Sequence, residues 1–178
     1  MKEVCTNEAW ENLANAIIEQ AATDYRHHLD RLKFYLKSID ESVVHKFVDV
    51  LNEDYELLPQ KSIKRIDEEL RVYREYINPM IDDIRVIIKN KKELLARVNN
   101  ACKFIIKEIE GYTDENDRLK IKKKLNSFKN IPHHIRDNID KAVYLEKFFT
   151  SEYYDTLTSV DGSVIINGIN KEINERYK

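Results

Sequence analysis

The chain has 178 residues, of which 35% are charged and only three are glycine and three proline. This composition favours a helical bundle over a β-sandwich or an α/β fold, and the length is enough to bury a core. A formal net charge of −2 gives no global case for nucleic-acid binding, so that function would need a local basic patch.

Targeting signals and membrane spans are missing from the sequence. The N-terminus has no apolar signal core, and no uninterrupted apolar run approaches the roughly 18 residues of a membrane helix. Cys5 and Cys102 are far apart, which favours two free thiols in a reducing compartment. We therefore expect a soluble cytoplasmic protein without a membrane partner.

The first predicted helix follows Thr6 or Asn7, either of which can cap it. Ser38, with Glu41 three residues later, forms a capping box that opens a second helix ending before Pro59. The short turn between them predicts an antiparallel pair. The apolar face of the first helix comprises Trp10, Leu13, Ala14, Ile17, Ile18, Ala21, Tyr25, Leu29, Leu32 and Leu36.

A longer apolar stripe begins at Ile63 and continues in register across Asn78-Pro79. From there it predicts a central helix over about 79–110 with coiled-coil-like packing, around which an elongated all-α multi-helix bundle is built. Because proline disfavours a helical residue before it, we expect two helices stacked end to end at Pro79. Lys91 occupies a core position, where it either reaches the surface or sets the register of a dimer. The stripe and its flank comprise Ile77, Met80, Ile81, Ile84, Ile87, Ile88, Lys91, Leu94, Leu95, Val98, Ala101, Cys102, Ile105 and Ile109.

The C-terminal third is predicted to hold shorter helices. Gly111 is a natural C′ residue, and a helix then runs from Thr113 or Asp114 to about Asn130. Pro132 suits the first turn of the next helix. After it, Ser151 can cap a short turn of helix, and Asp161-Gly162 marks a tight turn before a terminal helix that contains Val164, Ile165, Ile169 and Ile173.

Two pieces of the chain resemble the ends of a known family. The first contains Trp-x2-Leu-Ala-x-Ala-Ile from Trp10 and ends in Asp24-Tyr25-Arg26; the second holds Phe148-Phe149-x-Ser151, then Leu-Thr-x2-Asp161-Gly162. Together they resemble a small family of helical proteins of phages and prophages in low-GC Gram-positive bacteria. Tyr153-Tyr154 stands where that family has a Trp-aromatic pair, and roughly a hundred residues separate the two pieces.

The resemblance implies a mobile-element origin and a cytoplasmic site of action in a bacterial host. It also implies a domain organisation in which residues 1–37 and 141–178 form a small helical core, with residues 38–140 inserted as a helical arm. It implies no activity and no cofactor.

The strongest local anomaly is the basic stretch from Asp117 to Arg136, in which seven cations accompany a single acid. Such a patch can contact phosphate, bind a protein partner, or simply form a solvated helix face. The candidate binding residues are Arg118, Lys120, Lys122, Lys123, Lys124, Lys129 and Arg136.

Other constellations favour structural roles. Tyr144, Phe148, Phe149, Tyr153 and Tyr154 have the spacing of a helix end wrapped into a core, although aromatics beside lysines can also stack on bases. The possible metal ligands do not complete a known metal-binding pattern. A di-metal bundle needs an acidic-x-x-His motif on two helices, whereas Asp24 with His27 and His28 supplies only one, and His133-His134 is an isolated pair.

No nucleophile motif or glycine-rich phosphate loop occurs, so we expect no enzyme, no cofactor and no metal. The sequence predicts a non-enzymatic helical interaction protein that binds a host protein machine, as an inhibitor of host defence for example. The alternative is a nucleic-acid-binding accessory protein that uses the basic helix over 118–136. A homodimer through the arm stays open.

Overall fold

The structure, a computed structural model, describes residues 2–39, 58–81, 83–112 and 115–177. Side chains are described from Asn7 onwards, except at positions 116–121 and 124. These ranges contain helices and turns without a strand, so the predicted all-α class is confirmed. The helices of the described ranges are α1 Lys2–Lys37, α2 Gln60–Ile81, α3 Ile84–Lys89, α4 Lys91–Glu110, α5 Glu115–Phe149, α6 Glu152–Leu157 and α7 Gly162–Arg176.

The chain forms two compact units. Unit 1 comprises Met1–Arg31 and Asn138–Lys178, and unit 2 comprises Leu32–Asp137, so α1 and α5 contribute residues to both. Within the described parts of the chain, no helix is long and apolar enough to cross a membrane. The interpretation of residues 38–140 as an insertion into a smaller core stays a prediction.

Unit 2 is built on the predicted central stripe, but the stripe is not one rod. Helix α2 packs against α4 in the antiparallel sense: Arg65 meets Glu108 at 3.2 Å, and the Arg97 guanidinium lies 5.0 Å from the centre of the Tyr76 ring. The expectation of helices stacked end to end is therefore wrong. A continuous apolar register is buried equally well when its two halves fold back on each other, and periodicity alone cannot separate the two arrangements.

The chain turns after Pro79 and not at it. Helix α2 continues through Pro79 to Ile81. Asp83 then takes an extended conformation (φ −128°, ψ 107°) and its carboxylate accepts a hydrogen bond from the Arg85 N–H, which caps α3. Because Pro79 is exposed near the helix end, the carbonyl that loses its N–H partner there is accessible to water. A second interruption, at Asn90, separates α3 from α4.

The buried face of the stripe is narrower than the sequence indicates. Ile84, Val98 and Ile105 are buried, as are the predicted flank residues Ile87 and Leu94. The other core row is only half-buried at Ile81, Ile88 and Leu95, but it is buried at Cys102 and Ile109. Up to Leu95 the core thus lies between the first row and its flank, and only the second half of α4 buries all three rows. Lys91, in the first row, is half-buried.

Helix α1 differs from its prediction at both ends. It begins at Lys2, so Thr6 and Asn7 lie inside the helix and are not its caps. Ala14, Ala21, Tyr25, Leu29, Leu32 and Leu36 are buried as predicted, but Trp10 and Leu13 are 51% and 52% exposed. The Glu41 half of the capping box and the second predicted helix up to residue 57 lie outside the described residues.

Helix α5 replaces two predicted helices. It runs without interruption from Glu115 to Phe149 with Pro132 inside, so the predicted boundary near Asn130 is wrong. Pro132 removes one backbone hydrogen bond, a loss that the apolar contacts of Phe128, Ile131 and Ile135 with the core outweigh. Gly111 follows α4 in a right-handed conformation (φ −67°) and not in the left-handed one that a C′ glycine favours. The predicted caps Thr113 and Asp114 lie outside the described residues.

Unit 1 brings together the two pieces that carry the family resemblance. Tyr25 is fully buried and contacts Phe149 edge-on. Its hydroxyl lies 2.7 Å from Glu146 Oε1 and 3.1 Å from Asn170 Oδ1, two acceptors that share its one proton. Phe149 in turn packs against Tyr154, which is also fully buried. The five-membered aromatic cluster is therefore only partly core, because Tyr144 and Tyr153 are 71% and 52% exposed.

Helix α6 begins with the cap that the sequence predicts, and α7 begins with a cap where the sequence predicts a tight turn. The Ser151 hydroxyl accepts from the Tyr154 N–H at 3.2 Å, which confirms its predicted role. The Asp161 carboxylate accepts from the Ser163 N–H at 2.8 Å, and these hydrogen bonds lower the pKa of Asp161. The expected tight turn at Asp161-Gly162 is thus the start of α7.

Candidate functional site

The basic stretch lies on α5, within unit 2. Lys122, Lys123, Lys129 and Arg136 are exposed there. Lys122, Lys129 and Arg136 recur every seven residues, so they share one line along the helix, about 10 Å apart at 1.5 Å per residue. The side chains of the other three predicted site residues, Arg118, Lys120 and Lys124, are outside the described set.

A groove opens beside this line, between α5 and the end of α1; we call it the α5 groove. It has a volume of about 510 Å³ and is walled mainly by apolar atoms. Lys123 lines it, and Lys122 stands next in sequence. The remaining lining residues are Phe34, Tyr35, Ser38, Asn126, Ser127, Phe128, Asn130, Ile131 and His134.

One wall of the α5 groove is formed by aromatic rings that pack against one another. The Tyr35 ring stacks on His134 with centroids 4.7 Å apart and planes only 10° from parallel. Phe34 meets Tyr35 edge-on at 5.4 Å, yet its side chain is 57% exposed. Phe128 and Ile131, which are buried, lie at the groove with their backs in the core. An exposed phenylalanine over an apolar floor favours contact with another apolar group.

A second, smaller recess of about 290 Å³ lies between α4 and α5. It is lined by three lysines, Lys103, Lys107 and Lys129, with one acid, Glu110. Lys129 pairs with Glu110 at 3.1 Å, and both side chains are partly exposed, so water screens this ion pair. The line of Lys122, Lys129 and Arg136 therefore has its middle member engaged within the protein.

Cys102 is the one cysteine whose side chain the structure describes. Cys102 is buried at the back of the small recess, and burial raises the pKa of its thiol to about 12. A thiol with such a pKa is protonated at neutral pH and is a poor nucleophile. Cys5 lies outside the residues with described side chains.

The histidine pairs are used in packing. In unit 1, His28 Nδ1 lies 3.0 Å from Asn138 Oδ1, and in unit 2 His134 stacks on Tyr35. Within the described ranges, no three side chains of His, Cys, Asp or Glu come together as a metal site would require.

These features define an all-α protein whose unit 2 carries an apolar groove with a basic border. Beyond that class the comparisons add nothing: no protein-family model, no curated protein and no solved structure matches the chain.

The sequence pointed to the lysines of α5 but missed the aromatic wall beside them. Phe34 could have indicated this wall, because it lies between Leu32 and Leu36 but does not belong to the apolar face that they form. A large aromatic on a polar helix face is a candidate contact residue. That Tyr35 and His134 stack together was not readable, because they are almost a hundred residues apart in sequence.

Proposed function

We propose that this chain is a non-enzymatic helical interaction protein that binds an acidic segment of another protein through the α5 groove. The observation that carries this proposal is the 57% exposed Phe34 over an apolar floor, with Lys123 in the wall of the groove and the exposed Lys122 next to it in sequence. This arrangement suits an apolar side chain of the partner with carboxylates on either side.

The apolar and the charged parts of the groove have different roles in this proposal. Desolvation of an aromatic and of the apolar floor supplies most of the binding free energy, as at other protein interfaces. The exposed lysines contribute less to affinity, but they accelerate association with an acidic partner and disfavour basic ones. The preformed Tyr35–His134 stack lowers the conformational entropy that binding would cost.

The biological setting rests on the resemblance to the phage and prophage family. In that setting the gene belongs to a mobile element, the protein acts in the bacterial cytoplasm, and the partner is a host protein machine. Inhibition of host defence is the role that such a setting favours. A polar pocket with an activated nucleophile would argue for an enzyme instead.

The test combines partner capture with variants of the groove. The tagged chain is incubated with host lysate, with and without nuclease, and retained proteins are identified by mass spectrometry. A specific partner should survive nuclease, and Phe34→Ala should reduce its affinity about 10- to 100-fold, as loss of an interface hot spot does. Val164→Ala is the control, since Val164 is 62% exposed in unit 1 and lies outside the groove. Retention that is equal for both variants would refute a role for the groove.

The second candidate is nucleic-acid binding by the basic stretch, and the straight line of Lys122, Lys129 and Arg136 favours it. In that case binding should fall steeply with salt and disappear with nuclease. Changing Lys122, Lys123 and Lys124 together to Glu should abolish binding while the helical content measured by circular dichroism stays unchanged. If binding survives that triple change, nucleic-acid recognition by this helix is wrong.

A double variant separates the two candidates. Lys129→Glu with Arg136→Glu removes two of the three cations in the line but leaves the lining of the α5 groove intact. It should therefore weaken nucleic-acid binding strongly and protein binding little. Phe34→Ala should show the reverse pattern.

A further inference from the structure

The N-terminal part of α1 exposes two large apolar side chains on one face of the helix. From Asn7 to Leu13 every described side chain is exposed, including Trp10 and Leu13. Trp10, Leu13 and the half-buried Ile17 recur at i, i+3 and i+7 and so form an apolar stripe on one side of the helix, on which Ala14 is buried while Trp10 and Leu13 stay about half exposed. We call Asn7–Ile17 the α1 stripe segment.

The α1 stripe segment is acidic where the α5 groove is basic. Between Asn7 and Gln20 the sequence holds three glutamates and no lysine or arginine, and Glu8 and Glu11 flank Trp10. Acidic residues near a helix N-terminus also stabilise the helix through its dipole. That effect explains the glutamates, but it does not explain why a tryptophan is exposed between them. An amphipathic helix with apolar anchors and neighbouring carboxylates is the chemistry that the α5 groove is suited to receive.

We propose that the α1 stripe segment of one copy docks into the α5 groove of a second copy, with Trp10 on Phe34 and Glu8 and Glu11 near Lys122 and Lys123. A single helix cannot fold back on itself, and Trp10 and Phe34 both lie on α1, so the occupant comes from another molecule. The inference rests on the proposed function only in using the same groove. At high concentration the chain would thus occupy its own binding site and compete with a foreign partner.

The contact is small, so the association is weak. One stripe of three apolar residues in an open groove buries far less than the roughly 1,200–2,000 Å² of a stable complex. We expect self-association in the range of tens to hundreds of micromolar, weakening as salt screens the charged borders.

The single tryptophan of the chain makes the proposal directly measurable, because Trp10 is the only source of tryptophan fluorescence. A dilution series from about 500 to 1 μM is followed by the emission maximum of Trp10 and by sedimentation equilibrium. The expected result is a blue shift of Trp10 with concentration, in step with an increase in mass. Phe34→Ala should abolish both, and the exposed-residue control Val164→Ala should leave both unchanged.

A charge swap tests the pairing itself. Glu8→Lys with Glu11→Lys should weaken self-association about tenfold, and so should Lys122→Glu with Lys123→Glu, since attraction becomes repulsion at two exposed pairs. The chain that carries all four changes should associate nearly as well as the original. Circular dichroism verifies that each variant keeps its helical content.

Two outcomes would overturn the inference: a chain that stays monomeric to 500 μM with an unchanged Trp10 spectrum, or a fourfold variant that fails to recover association. Neither outcome contradicts the proposed function. That function is tested separately, by the effect of Phe34→Ala on the affinity for a foreign partner at low protein concentration. Conversely, self-association without a foreign partner that responds to Phe34→Ala would refute the proposed function alone.

Discussion

The start of α7 leaves no room for a side chain at Gly162. A Cβ built there would lie 1.9 Å from the carbonyl oxygen and 2.7 Å from the carbonyl carbon of Phe149, at the end of α5. Both are backbone atoms, so no rotamer change relieves the clash. To reach even 3.0 Å from that oxygen, the two helix ends must separate by about 1.1 Å. Tyr154 and Phe149, which are buried beside this contact, would then lose packing.

Gly162→Ala is therefore expected to destabilise unit 1 by about 2–3 kcal/mol, the upper part of the range for overpacked sites. In a chain of this size that free energy corresponds to a fall of about 4–12 °C in the melting temperature. The assay is thermal unfolding followed by circular dichroism at 222 nm, supported by urea unfolding to obtain the free energy.

Gly168 provides a matched control in the same helix. Nothing lies within 4 Å of a Cβ placed there, and the position is exposed in the middle of α7. Because alanine is a better helix former than glycine, Gly168→Ala should stabilise by about 0.5–1 kcal/mol. The same substitution thus has opposite signs six residues apart. If Gly162→Ala melts within 1 °C of the original chain, the close approach of the two helix ends is wrong.

Four further expectations follow from contacts described above. Tyr25→Phe removes a buried hydroxyl donor and takes a partner from the buried oxygen of Asn170, so it should cost about 1–3 kcal/mol in urea unfolding, whereas Tyr153→Phe, at an exposed position, should be neutral. In a Cys5→Ser background the buried Cys102 thiol should resist a thiol reagent such as DTNB until the chain unfolds, because its pKa is raised to about 12. Since the unfolded chain releases that thiol proton first as pH rises from about 9, stability should fall from there to pH 12. Arg71→Ala should leave the unfolding midpoint nearly unchanged, although its guanidinium contacts two glutamates at 2.6 and 2.7 Å, because all three side chains are exposed and water screens the ion pairs.

Each of these expectations has a result that contradicts it. Equal unfolding midpoints for Tyr25→Phe and Tyr153→Phe would show that the buried hydroxyl contributes nothing. Reaction of Cys102 with DTNB within seconds under native conditions would place the thiol at the surface. A stability that rises between pH 9 and 12 would have the wrong sign for the buried thiol. A clear fall of the unfolding midpoint for Arg71→Ala would mean that the exposed ion pairs are unusually strong.

The local parts of the fold were predictable because they depend on neighbours in the chain. The buried face of α1 from Ala14 to Leu36 follows the 3.6-residue period, and the Ser151 cap depends on an N–H three residues away. From the sequence, each proline could be recognised only as a residue that costs a helix one hydrogen bond. Pro79 and Pro132 nevertheless both lie inside a helix, because packing of the neighbouring apolar residues outweighs that lost hydrogen bond.

The candidate site was half predictable for a similar reason. Lys122, Lys123, Lys129 and Arg136 are adjacent in sequence and form a visible charge run, and α5 places them on its exposed side. The α5 groove is not visible in that run, because its aromatic wall comes from α1. Only the fold brings Phe34 and Tyr35 beside His134.

The all-α class, the starts of α6 and α7 and the apolar face of α1 from Ala14 to Leu36 could be read from the sequence alone, because they follow from periodicity and capping within a few residues. Contacts in three dimensions set the antiparallel packing of α2 on α4, the half-exposed state of Trp10 and Leu13, and the close approach of Gly162 to the backbone of Phe149. An apolar stripe on a helix predicts that the helix packs against another element, but it does not predict which element that is. That choice depends on contacts between residues far apart in sequence, where packing and close approach are set by the whole fold.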